Sequence, residues 1–298
     1  MRNGKNDWSS SMKKILQNGR LFLDGGFGTE LYKLNITVDP AAANLTHPQA
    51  VMDIHRAYAA AGADIITANT FGSHKFDNCG EIISAAVQNA RTAAPSKLIA
   101  LDIGPTGLLP EPYGTTTREE LSAIFASIVS HGVYNGVDLI LVETMGDLIE
   151  IEIAVTEAKK TALPVFATMS FSPTGRTMYG VSIADMTQLL TQLGVDALGL
   201  NCGEGLDAYA PIVTELLDTT KHSGKGDSFM PVIFQPNAGL PQVLGDGTVS
   251  YSVSPEGYAR FMVKMAKLGV AVLGGCCGTT PAHIAAMVGA VDKLPTKV

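Results

Sequence analysis

The chain has 298 residues, with 21 Lys+Arg against 28 Asp+Glu for a net charge of −7, so no basic excess draws it to nucleic acid or anionic lipid. At about 150 residues per domain, this length suits two small domains or one large barrel, and either can bury a sizeable core. No run approaches the roughly 18 apolar residues of a membrane span, residues 1–14 are polar without the apolar centre of a signal peptide, and four cysteines are too few for a disulfide scaffold, so a cytoplasmic protein with reduced thiols is expected.

After the polar extension 1–14, the first strand-length apolar run is 21–24. The glycine-rich Asp24-Gly25-Gly26-Phe27-Gly28 follows it. This is not a G-x-G-x-x-G dinucleotide fingerprint, and no helix is expected directly after it. A helix is predicted over 48–61, where Val51, Ile54, Ala57, Tyr58 and Ala61 recur at helical spacing. Strand 64–67, helix 79–93, strand 98–102, helix 118–135, strand 138–143 and helix 146–161 come next. Strand 164–170, helix 183–193, strand 196–201, helix 207–220, strand 231–236, helix 254–268, strand 271–275 and helix 280–292 complete the chain.

A short phrase recurs before four of these strands: Gly62-Ala63-Asp64, Gly136-Val137-Asp138, Gly194-Val195-Asp196 and Gly269-Val270. A glycine past a helix end, then a tight turn into a strand, is the expected αβ connection. The strands are continuously apolar, as strands covered on both faces should be. Eight strands, each followed by a helix, predict an α/β fold, a (β/α)8 TIM barrel, as a single domain over 1–298. The competing architecture is a doubly wound open sheet, which usually has fewer strands. The segments leaving strands are long at 25–47, 103–117, 171–182 and 237–253, and in a barrel these loops build the active-site face. The polar stretch 223–228 enters a strand instead and is expected to be a surface loop.

Cys202 ends the sixth predicted strand and Cys276-Cys277 end the eighth, so the three thiols reach one face of the barrel. Three thiolates and one open position form a set that Zn²⁺ accepts for catalysis. Adjacent side chains in a strand point to opposite faces, so both vicinal sulfurs can reach one ion only if the chain bends there. Gly274, Gly275 and Gly278 permit that bend. The alternative is three small buried residues. Cys79, at a helix start, is expected to be a bystander. Asp24, Asn69, Asp102, Glu143, Asn201 and Asn237 also stand at or just past strand ends. Asp102 is expected to order the Gly104-Pro105-Thr106-Gly107 turn, whereas Glu143, beside an apolar core, needs a cationic partner such as a substrate ammonium. No predicted strand contains a Lys, which argues against Schiff-base chemistry, and no His pair has metal-ligand spacing.

Taken together, these residues resemble the homocysteine S-methyltransferase family, whose module also forms part of cobalamin-dependent methionine synthase. The matching stretches include Asp24-Gly25-Gly26-Phe27-Gly28-Thr29, Asn69-Thr70-Phe71, Gly104-Pro105-Thr106-Gly107, Glu143-Thr144, Gly199-Leu200-Asn201-Cys202, Pro236-Asn237-Ala238-Gly239 and Gly274-Gly275-Cys276-Cys277-Gly278-Thr279, within about residues 15–292. The resemblance implies zinc on Cys202, Cys276 and Cys277, with the substrate thiol at the open position. It also implies that Asp24, Glu143 and Asn237 hold the amino-acid end of homocysteine. The expected reaction is zinc-dependent methyl transfer to the homocysteine thiol, giving methionine. No D-x-H-x-x-G cobalamin signature occurs, so the expected donor is a separate methyl-corrinoid protein or a small sulfonium compound such as S-methylmethionine or S-adenosylmethionine. The alternatives are a methyltransferase for another thiol and a non-catalytic zinc- or thiol-binding barrel that senses redox state.

Overall fold

The computed structural model describes residues 19–203, 205–223, 230–243, 245 and 249–295. The extension 1–14 and residues 224–228 of the polar stretch lie outside them. The strands are β1 (Leu21–Phe22), β2 (Ile65–Thr67), β3 (Leu98–Ile103), β4 (Leu139–Met145), β5 (Val165–Met169), β6 (Ala197–Cys202), β7 (Val232–Pro236), β8 (Pro241–Val243), β9 (Val249–Tyr251) and β10 (Val272–Leu273). The helices are α1 (Phe27–Lys33), α2 (Ala43–Thr46), α3 (Pro48–Ala60), α4 (Cys79–Ala93), α5 (Arg118–Tyr134), α6 (Leu148–Lys159), α7 (Ile183–Leu193), α8 (Tyr209–Ser223), α9 (Pro255–Leu268) and α10 (Pro281–Val291). Among the described residues, no helix is long and apolar enough to cross a membrane.

Eight strands form one parallel sheet in the order β1-β10-β7-β6-β5-β4-β3-β2. A parallel bridge between Leu23 and Ile65 joins its two edges. The molecule is a (β/α)8 TIM barrel, with every predicted barrel strand in place. The barrel interior holds Leu21, Leu23, Ile65, Ala100, Leu139, Leu141, Phe166, Ala197, Ile233 and Val272, all buried. A larger apolar layer lies between strands and helices. Side chains alternate along a strand, so the inward parity of Ala100, Leu141 and Ile233 continues upward to Asp102, Glu143 and Gln235. Polar groups thus cap an apolar interior at the strand C-termini.

The recurring Gly-x-Asp phrase has a structural role. Gly62, Gly136, Gly194 and Gly269 all have positive φ, which glycine adopts without steric cost. The aspartate that follows grips the preceding strand at two points. Asp64 donates its N–H to Phe22 O (2.7 Å) and accepts from Phe22 N through Oδ2 (3.0 Å). Asp138 does the same with Ile99 (2.8 and 2.8 Å), and Asp196 with Val165 (2.8 and 2.9 Å). Ala271, at the fourth repeat, keeps only the backbone bond, to Val232 O at 3.0 Å. Each side-chain bond contributes about 1 kcal/mol and fixes the stagger of neighbouring strands.

Two departures from the sequence reading concern the loops. A seven-residue helix, α1, does begin directly after the first glycine-rich turn, with Gly26 as its N-cap and Glu30 in its first turn. Its acid suits the positive end of the helix dipole. The segment 237–253 contains the antiparallel hairpin β8–β9 rather than loop alone.

Candidate active site

The strand ends bring Cys202, Cys276 and Cys277 together, with their sulfurs all within 4.8 Å of one another. Cys202 closes β6 in a left-handed conformation (φ 63°) and Gly203 continues it (φ 84°), which turns the sulfur out of the strand pattern. The vicinal pair lies beyond β10, where the chain has left strand geometry. Gly275 N donates to Asp24 O (2.9 Å), Cys276 N to Pro236 O (3.0 Å), and Thr279 Oγ1 to Cys276 O (2.6 Å). The turn is thereby pinned between the ends of β1 and β7, and both sulfurs face Cys202.

All four cysteines are free thiols. Crowding of the three sulfurs pushes the Cys202 thiol below its usual range and the other two up. The donor set fits a soft tetrahedral metal, because Zn–S bonds of about 2.3 Å place sulfurs roughly 3.8 Å apart. Cys79 lies on α4 beside Ser73 and takes no part.

A cavity of ≈ 500 Å³ opens next to the thiols. That volume is usual for a small-molecule site. Asp24, Asp102 and Glu143 line its inner end together with Cys202, Cys276 and Cys277. Asp24 accepts from Thr67 Oγ1 (2.7 Å) and Thr67 N (2.8 Å), yet burial pushes its carboxyl up to about 7. Burial, then Cys202 and Asp24, push Glu143 up to about 8. Asp102 is 6% exposed, its Oδ1 has no partner, and burial with Glu143 and Asp24 raises it well above the carboxylate range. Three buried carboxyls, with the exposed Asp39, face a cavity whose only cationic lining residue, among the described residues, is the exposed Lys75.

Local backbone strain aims Glu143. The β4–β5 register shifts between Val142 and Met145, and Thr144 sits at φ 60°. A β-branched residue in that region costs about 1–3 kcal/mol. Asn201 sustains it: Asn201 Oδ1 accepts from Thr144 N (2.8 Å) and Thr168 Oγ1 (2.8 Å), and Asn201 Nδ2 donates to Thr144 Oγ1 (2.6 Å).

Of the residues singled out in the sequence, Asp24 and Glu143 line the cavity and the three cysteines converge. Asn237 is off the lining. Its Nδ2 donates to Gly203 O (2.8 Å), beside Cys202, while its buried Oδ1 has no partner. Asp102 lies in the cavity rather than ordering the turn after β3. Glu150 orders that turn, accepting from Thr106 N (2.7 Å) and Thr106 Oγ1 (2.6 Å). Sequence reasoning missed Thr67, which follows β2's inward parity, and Tyr251, which no periodicity marks.

The protein-family model described as homocysteine S-methyltransferase matches residues 21–291. Methionine synthase of Mycobacterium leprae is 31% identical over 91% of this chain, and that of Mycobacterium tuberculosis is 30% identical over 97%. The chain spans about a quarter of the length of these curated relatives (24% and 26%). The apo and metallated crystal structures of the homocysteine methyltransferase MmuM from Escherichia coli match with TM-scores of 0.72 and 0.73, at 23% and 22% identity. Both matches cover 92% of this chain, and 97% and 96% of MmuM respectively, which shows a shared fold. With its family model matched across the whole barrel, the chain belongs to the homocysteine S-methyltransferase family.

Proposed function

We propose that this protein transfers a methyl group to the thiol of homocysteine, giving methionine, with zinc held by Cys202, Cys276 and Cys277. The observation that carries the reading is the junction of a three-thiol cluster with three buried carboxyls in one cavity. Zinc supplies the positive charge that ionises a thiol, whose ordinary pKa near 8.5 leaves little thiolate at neutral pH. Asp24 and Glu143 receive the α-ammonium of the substrate. Its charge offsets their mutual repulsion and their burial, so both ionise when it binds. Asn237 positions the Cys202 turn from behind. The balanced reaction is thiol plus methyl donor giving thioether, demethylated donor and a proton.

We assign the donor role to a separate methyl-corrinoid protein ahead of a small sulfonium compound. The relatives named methionine synthase support this order. So does an apolar outer face on the loops after β3 and β5, where Tyr113 is 76% and Met178 is 85% exposed. The test is methionine formation by the zinc-loaded chain from homocysteine with methylcobalamin, S-methylmethionine or S-adenosylmethionine. Methionine is expected from at least one donor. No methionine from any of them, or equal turnover of an unrelated thiol, would contradict the assignment.

A further inference from the structure

The inner end of the cavity holds hydrogen-bond acceptors that the chain itself leaves unpaired. Asp102 continues the inward parity of Ala100 on β3, lines the cavity and is 6% exposed. Its Oδ1 is buried and has no partner among the described residues. Gln235, on the inward face of β7, lines the same cavity, and its Oε1 is likewise buried without a partner. Asp24, which accepts from Thr67 Oγ1 (2.7 Å) and Thr67 N (2.8 Å), and Glu143 complete the group.

The backbone of Asp102 is fixed in advance. Asp102 N donates to Thr70 Oγ1 (3.0 Å), and Thr70 Oγ1 donates to Asp102 O (2.8 Å). In the β3–β4 register Asp102 pairs with Leu141, which places Glu143 two residues further along the same inward face. A buried acceptor without a donor is costly, and a ligand that brings N–H groups removes that cost.

We propose that Asp102 is a specificity-determining residue of the substrate site: its Oδ1 accepts the third N–H of a primary ammonium whose other two N–H groups go to Asp24 and Glu143. This rests on the reading that homocysteine places its α-ammonium in this cavity. A primary ammonium carries three donors and no acceptor, so it matches an end built from acceptors. A carboxyl accepts through its carbonyl oxygen whether or not it carries a proton, so the role of Asp102 does not depend on its ionisation. The site thereby selects thiols with a free amino group over desamino thiols of the same shape, which leave a buried acceptor unpaired.

The test is calorimetric titration of the full, zinc-loaded chain with two thiols. One is homocysteine, and the other is 4-mercaptobutanoate, which keeps the thiol and the carboxylate but lacks the ammonium. Asp102→Ala should weaken homocysteine binding at least about tenfold, the size of a lost hydrogen bond to a charged group, and should not weaken 4-mercaptobutanoate. Asp102→Asn keeps an acceptor oxygen in the same place and should bind homocysteine more tightly than Asp102→Ala does. Thermal unfolding of each variant confirms that it is folded. Homocysteine affinity unchanged in Asp102→Ala, or equal weakening of both thiols, overturns the role given to Asp102. A wild-type chain that binds neither thiol overturns the reading of the cavity as the homocysteine site.

Discussion

The Cys276→Ser protein should fold, retain no stoichiometric zinc and lose methyl transfer by more than about a hundredfold. The size follows from comparison: removing a group that merely hydrogen-bonds a ligand costs 10–100-fold, so removing a ligand should exceed that range. Folding should survive because the structural work at this position is done by the backbone. Cys276 N bonds Pro236 O (3.0 Å), and Cys276 O accepts from Thr279 Oγ1 (2.6 Å). A serine preserves both. The melting temperature should stay within about 4 °C of wild type, the shift that roughly 1 kcal/mol produces in a protein of this size. Metal analysis, a melting curve and turnover together check the claim. A variant that keeps its activity without metal would remove the basis for thiol activation by zinc.

Asp24→Asn should have two opposite effects. Without substrate it should stabilise the fold at alkaline pH. Burial pushes the Asp24 carboxyl in the folded chain up to about 7, against an ordinary value of 3.8. A raised carboxyl contributes stability at pH below its unfolded value, and that contribution is lost as pH rises through the folded value. The wild-type chain is therefore penalised between about pH 4 and 7 by ~1.4 kcal/mol per unit from this group. Asparagine carries no such penalty and still offers Thr67 N an acceptor. The gain in melting temperature of the variant over wild type should be near zero at pH 4 and reach its full size above pH 7. Asp102 and Glu143, which Asp24 pushes up, add to the gain in the same direction. With substrate the sign reverses. Losing one carboxylate from a buried ion pair costs at least about 2 kcal/mol, or roughly a thirtyfold rise in the KM for homocysteine. A gain that is flat across pH, with an unchanged KM, would show that Asp24 does not meet the ammonium.

The barrel was legible because its signals are local. Four αβ turns carry a glycine, and Asp64, Asp138 and Asp196 repeat at three of them. The inward faces follow from period-2 parity, which places Asp102 and Glu143 at the top of the interior. The metal cluster was legible for a related reason: strand-end positions of a barrel converge, so cysteines far apart in sequence meet. Features set by tertiary backbone geometry were not legible. The left-handed conformation of Cys202 has no signature in its residue type. The role of Asn237 depends on which way the chain turns after β7, which places its amide at Gly203 rather than in the cavity. Asp102 is free of the turn because Glu150, from α6, holds it, a contact between distant segments. Tyr251 lies in a hairpin whose pairing is fixed by anchors at Cys277 and Ala238, and a linear pattern cannot display those contacts.

The central claim is that three cysteines hold zinc and leave one position for the substrate thiol. X-ray absorption at the zinc edge tests it most directly by counting sulfur neighbours at about 2.3 Å before and after homocysteine is added. The account predicts three sulfurs in the substrate-free protein and four in the complex. A count that stays at three with homocysteine bound, or that already stands at four without it, would contradict the account.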